Sequence, residues 1–127
     1  MKPTTFEEAL DEILALQREV MLDRHQKYGP DNMLKAGIEG ALSRAYHDKM
    51  SRLFLVYENR RAMQACRKAG MPENIILKYF SDTEDFADET VEDAHIDAAN
   101  YVGPISLMLA RGTWTLPMSK EKVSVFN

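Results

Sequence analysis

Cysteine is nearly absent from this chain of 127 residues. Cys66 stands alone, so neither an internal disulfide framework nor a zinc knuckle can be built. Long apolar runs are missing as well. None approaches the ~20 residues that a membrane-spanning helix needs, so no membrane partner is expected. The opening Met1-Lys2-Pro3-Thr4-Thr5 leads into charged residues, the reverse of a secretory leader. Together with the single cysteine, this predicts a cytoplasmic protein. Basic charge is in deficit. The formal net charge is −4 and the pI about 5.4, so no direct nucleic-acid binding is expected. A local site for a small anion stays open. Strand signals are scarce too, with Lys122-Val123-Ser124-Val125-Phe126 as the one alternating run.

Helical signals fill the space left. With 45% apolar and 28% charged residues, the composition is that of an ordinary globular domain. A chain of this length forms one domain that buries roughly two-thirds of its unfolded surface. Thr5 with Glu8 fits a capping box, predicting a first helix over about 5–27, stopped by Gly29-Pro30. Phe6, Leu10, Ile13, Val20 and Met21 share one of its faces. A second helix is expected over about 38–69, ending at Gly70, with Leu42, Tyr46, Met50, Leu53, Val56 and Tyr57 as its apolar face. A short third helix over about 72–80 opens with a proline, and an acidic loop follows over 81–89. Thr90 with Asp93 reads as a capping box for a fourth helix over about 90–111. Pro104 inside that helix predicts a kink, since it has no N–H for the carbonyl of Asn100. The expectation is an all-α bundle of three to four main helices, core about 5–111, with an irregular tail over 112–127.

Bundles place polar sites between facing helices, and two faces qualify. On the fourth helix Asp93, Asp97 and Asn100 lie four and then three residues apart, on one face at ~100° per residue. Buried carboxylates must be paired, protonated or bound to a metal. One outcome is ion pairing with lysines and arginines of other helices; the other is an Mg²⁺ or Mn²⁺ site. On the second helix Ala41, Ala45, Asp48 and Arg52 form a stripe, with Arg44 on its edge. Intrahelical pairs of Asp48 with Arg44 and Arg52 account for the two arginines. They leave Lys49 unexplained, for it falls among apolar positions, where it either snorkels or reaches a buried anion. The alanines leave room for something to approach. Acids and bases on two facing helices are what phosphate chemistry with a divalent ion requires. Tyr28, Tyr46 or Tyr101 could stack on a base.

Taken in order, Lys27-Tyr28-Gly29, Leu42-Ser43-Arg44, Asp48-Lys49, Arg52-Leu53, Glu92-Asp93 and Asp97-Ala98-Ala99-Asn100-Tyr101 resemble a known family. It is the phage-associated nucleotide-modification-associated domain type 1, over about 27–109. The chain also looks like a relative of the MazG-like all-α nucleoside triphosphate pyrophosphatases. The resemblance implies hydrolysis of a nucleoside triphosphate to monophosphate and pyrophosphate in phage nucleotide metabolism, with Mg²⁺ or Mn²⁺ as cofactor. It implies Asp48, Asp93 and Asp97 as metal ligands and Asp48, Lys49 and Asp97 as the catalytic set. Arg44, Arg52, Asn100, Tyr28 and Lys27 would contact the nucleotide. A site on one small bundle is shallow, so a homo-oligomer is expected.

Two rival readings accompany it. The chain could bind a nucleotide or a host protein without turnover, a reading favoured by the lack of the full acidic quartet, to which the second helix offers only Asp48. Alternatively His25, His47-Asp48 and Asp97 follow the order of His-Asp metal phosphohydrolases.

Overall fold

The computed structural model describes residues 2–80 and 89–119. The acidic run 82–88 and the alternating run 122–126 lie outside the described residues. Every regular element among the described residues is helical, so the fold is all-α. The order is α1 (Phe6–Tyr28), α2 (Asp31–Ser43), a first π segment (Arg44–Met50), α3 (Ser51–Lys68), α4 (Glu73–Tyr79), α5 (Val91–Asn100), a second π segment (Tyr101–Ile105) and α6 (Ser106–Arg111). Among the described residues no helix is long and apolar enough to cross a membrane.

Local chemistry accounts for most boundaries. Thr5 Oγ1 accepts from the N–H of Glu8 at 3.1 Å, capping α1. The Glu8 carboxylate reaches back to the N–H of Thr4 at 3.2 Å, one residue earlier than the expected box. Thr90 and Asp93 form the full reciprocal box of α5, at 3.0 and 3.2 Å. Gly112 ends α6 in the left-handed region (φ 71°), where a Cβ would be strained. The N–H of Thr113 then bonds the Met108 carbonyl at 2.9 Å.

The expected second helix is preceded by a turn of helix the sequence did not announce. α2 begins at Asp31 and breaks at Gly37, whose φ of 72° and ψ of −176° are not helical. From there a rod continues through the first π segment into α3. In a π segment each N–H bonds five residues back, so the turns are wider. Faces counted at ~100° per residue therefore slip along this rod. Ala41 and Ala45 are fully buried, but Tyr46 is 62% exposed, although it was expected on the apolar face. The second π segment sits where the kink was expected. Pro104 lacks a donor there, and the Ser106 hydroxyl donates to the Tyr101 carbonyl at 2.6 Å.

α5 packs most closely on the first π segment. Small buried side chains lie on both elements, Ala45 on the π segment and Ala94 and Ala98 on α5. The room that the alanines leave is thus taken by a neighbouring helix. Beside it Met33, Ala41, Ile105 and Trp114 form a cluster, backed by Met21, Tyr101, Met108 and Leu109. Trp114 ties the first residues of the tail to the bundle. Its indole N–H donates to the Pro30 carbonyl at 3.0 Å, and His25 meets its ring edge-on at 4.6 Å.

Candidate functional site

Where α1, α2, both π segments and Trp114 meet, they enclose a cavity of about 430 Å³, within the ordinary range for small-ligand sites. α1 contributes Arg24, His25 and Tyr28, and the first π segment contributes Arg44 and Lys49. Asp97 and Asn100 come from the last turn of α5, and Tyr101 and Ile105 from the second π segment. Both irregular stretches of helix thus line one cavity, a placement π turns share at many functional sites.

Asp97 is the acidic centre. It is 4% exposed and carries a cation on each oxygen. Arg24 binds Oδ1, and Lys49 Nζ lies 3.5 Å from Oδ2. Lys49 also donates to Glu89 at 2.9 Å and lies 3.7 Å from Asp48. Arg52 joins the same network from outside, 3.0 Å from both Glu89 and Asp48. Burial alone would pull the Lys49 pKa down. The bond to Glu89 and the charges of Glu89, Asp97 and Asp48 outweigh it, and the pKa stands above its ordinary value. So the lysine does not snorkel. Its ammonium joins two carboxylates that are 8% and 5% exposed.

The sequence-predicted residues are only partly brought together. Lys49, Asp97, Arg44, Asn100 and Tyr28 line the cavity; Asp48, Arg52, Asp93 and Lys27 do not. Asp48 is half-exposed and held by Arg52. Asp93 is exposed and occupied by the cap of its own helix. Lys27 pairs with Asp23 at 3.5 Å. Of the three acids expected to hold Mg²⁺ or Mn²⁺, Asp48 and Asp97 meet only across the Lys49 ammonium, Asp93 stays apart, and the one in the cavity is already neutralised by two side chains. Among the described residues no group of three or more His, Cys, Asp or Glu is placed to hold a metal ion. The acids as arranged do not fit a metal held by the protein alone. The His-Asp set is divided as well. His25 is at the cavity, whereas His47 is exposed and packs edge-on against Tyr46 at 4.9 Å.

Sequence reasoning missed Arg24 and Glu89. Arg24 follows the apolar stripe of α1 and gave no sign of a partner 73 residues away. Glu89 ends an acidic run that read as a solvated loop, yet its side chain is 8% exposed. Its one sequence signal is its place just before the Thr90 cap, where the chain must approach the bundle.

Two features of the cavity ask for a ligand. Arg44 faces it with no carboxylate on its guanidinium among the described residues; its contact there is the Met33 thioether at 3.0 Å. Asn100 Oδ1 and His25 Nδ1 are buried without a hydrogen-bond partner among the described residues, which is costly unless a ligand or water completes them. Set against family models, curated proteins and solved structures, the chain has no match in any of the three.

Proposed function

We propose that this chain binds a nucleotide in the cavity between α1, the two π segments and Trp114. The observation that carries the reading is the charge of the lining. Arg24, Arg44 and Lys49 line the cavity with one acid, Asp97; Lys49 is also held by Glu89, whereas Arg44 has no acid of its own among the described residues. Guanidinium groups bind phosphate oxygens in pairs of charge-assisted bonds. In this reading the phosphates lie on Arg44 and the lysine edge of the network. The base stacks on Tyr28 or Tyr101, and Asn100 Oδ1 accepts from an N–H of the base.

The family resemblance adds a reaction, hydrolysis of a nucleoside triphosphate to monophosphate and pyrophosphate. Mg²⁺ or Mn²⁺ would then enter on the phosphates as part of the substrate, since the acids of the cavity are engaged by Arg24 and Lys49. That same engagement favours the second reading, nucleotide binding without turnover. The partners in either case are the nucleotide and a second copy of the chain.

Trp114 is the chain's single tryptophan and lines the cavity, so its fluorescence reports occupancy. Each nucleoside triphosphate is titrated with and without Mg²⁺, and the products are separated by ion exchange. Saturable fluorescence change is expected, and Arg44→Ala should weaken it about 10- to 100-fold, the worth of one charged hydrogen-bonding group. Monophosphate and pyrophosphate would establish the hydrolase, and binding without products the second reading. No response to any nucleotide would overturn both.

A further inference from the structure

The first half of α1 touches almost nothing among the described residues. The helix rests chiefly on α5, through its second half. Over residues 6–14 Phe6 is 79%, Leu10 44%, Ile13 56% and Leu14 50% exposed. Single exposed apolar residues are ordinary, but a stripe of four along one helix is an interaction surface. The charges beside the stripe are all of one sign: Glu7, Glu8, Asp11 and Glu12.

The second half of the same helix offers the complement. Leu14, Gln17, Arg18, Met21, Leu22 and Pro104 line a second cavity of about 400 Å³, an apolar groove. Arg18 is the one charged residue in that lining and makes no ion pair among the described residues. At ~1.5 Å per residue, residues 6–14 and 14–22 each span about 12 Å of helix. Ridge and groove match in length and adjoin on one helix.

We propose that this chain forms a two-fold dimer through α1, with two copies antiparallel and crossing near Leu14. Each copy's residues 6–14 then cover the other's groove. Phe6 comes opposite Leu22 of the second copy, and the acids Glu7 and Asp11 flank its Arg18. The charge pattern selects a second copy as occupant. The acidic ridge and the arginine-edged groove belong to the same chain, and only an antiparallel pair satisfies both at once, as an isologous interface requires. The ridge and Arg18 lie outside the charged network of Asp97, and Met21 alone lines both cavities, so loss of the dimer and loss of nucleotide binding are read separately.

Light scattering on the eluting full chain tests it. The expected mass is about 29 kDa, twice the 14.5 kDa chain. Ile13→Glu should give the 14.5 kDa species with an unchanged far-UV circular dichroism spectrum. Arg18→Glu should weaken the dimer without touching the ridge, and adding Glu7→Lys with Asp11→Lys to Arg18→Glu should restore it. A wild-type mass of 14.5 kDa at the highest soluble concentration would overturn the proposal, whether the groove is filled by the chain's own tail or by another protein. A dimer that survives both Ile13→Glu and Arg18→Glu, or a charge swap that fails to restore the Arg18→Glu dimer, would overturn it as well.

Discussion

Two stretches of helix invert the usual relation between polarity and burial. Residues 6–14 of α1 are rich in large apolar side chains, and Phe6 is 79% exposed. The first π segment and α5 carry Lys49, Asp97 and Asn100, and both Asp97 and Asn100 are 4% exposed. Partners explain the difference. The alanines at 45, 94 and 98 let α5 and the first π segment approach closely. Charges at their edges are then enclosed together, each acid with a cation on it. The first half of α1 projects past α5 and finds no neighbouring helix among the described residues. Burial here follows from what lies opposite a residue, more than from the residue's own hydrophobicity.

Removing a partner from the buried network should give the largest effect. Lys49→Met takes the ammonium from Glu89 and Asp97, although each keeps an arginine. Breaking a buried pair costs about 3–5 kcal/mol, and the remaining arginines set the expectation at about 3 kcal/mol, read from urea unfolding. The variant should also change the pH profile. Lys49 has a folded pKa above its unfolded value, so its stabilisation is complete below about pH 10.4 and fades as pH rises through the folded value. The alkaline loss of stability should therefore be steeper in the wild type than in Lys49→Met. Equal slopes would show that the ammonium is not held by these acids.

A smaller effect tests the close approach itself. Ala45 is fully buried, and Ala45→Leu should cost roughly 1–3 kcal/mol by overpacking. An unchanged urea midpoint would mean that the alanine contact has slack, and the contrast with the projecting half of α1 would weaken. The smallest effect concerns the acid that the fold leaves outside. Asp93→Ala should cost about 1 kcal/mol, the worth of a cap, with nucleotide affinity unaltered. A large loss of affinity in that variant would place Asp93 in the site after all. Asp97→Ala is a poor test of turnover by comparison, because it strips the partner from Arg24 and Lys49 and weakens the fold together with the site.

Much of the site was legible by residue type but not by arrangement. Lys49 stood out because a lysine among apolar positions needs an anion, and the structure supplies two. Arg44 and Asn100 were found from the same faces. Asp93 carried two incompatible expectations, cap and ligand, and the local one prevailed because the Thr90 N–H is three residues away and always present. Arg24 and Glu89 went unseen since neither has a neighbour in sequence that announces its partner.

The helix ends were written locally. Thr5, Thr90, Gly112 and the donor-less Pro104 act on backbone groups within about five residues, so their effects need no knowledge of the fold. All-α architecture and the place of an irregular turn at Pro104 followed from the sequence by itself. The tertiary structure alone decided which charges share a partner, which alanines meet, and which half of an apolar stripe is left uncovered. The physical reason is range. Capping bonds join neighbours along the chain, whereas the Arg24–Asp97 pair spans 73 residues. It forms only after the helices have crossed, with a register that two π segments have shifted from the regular 3.6-residue turn.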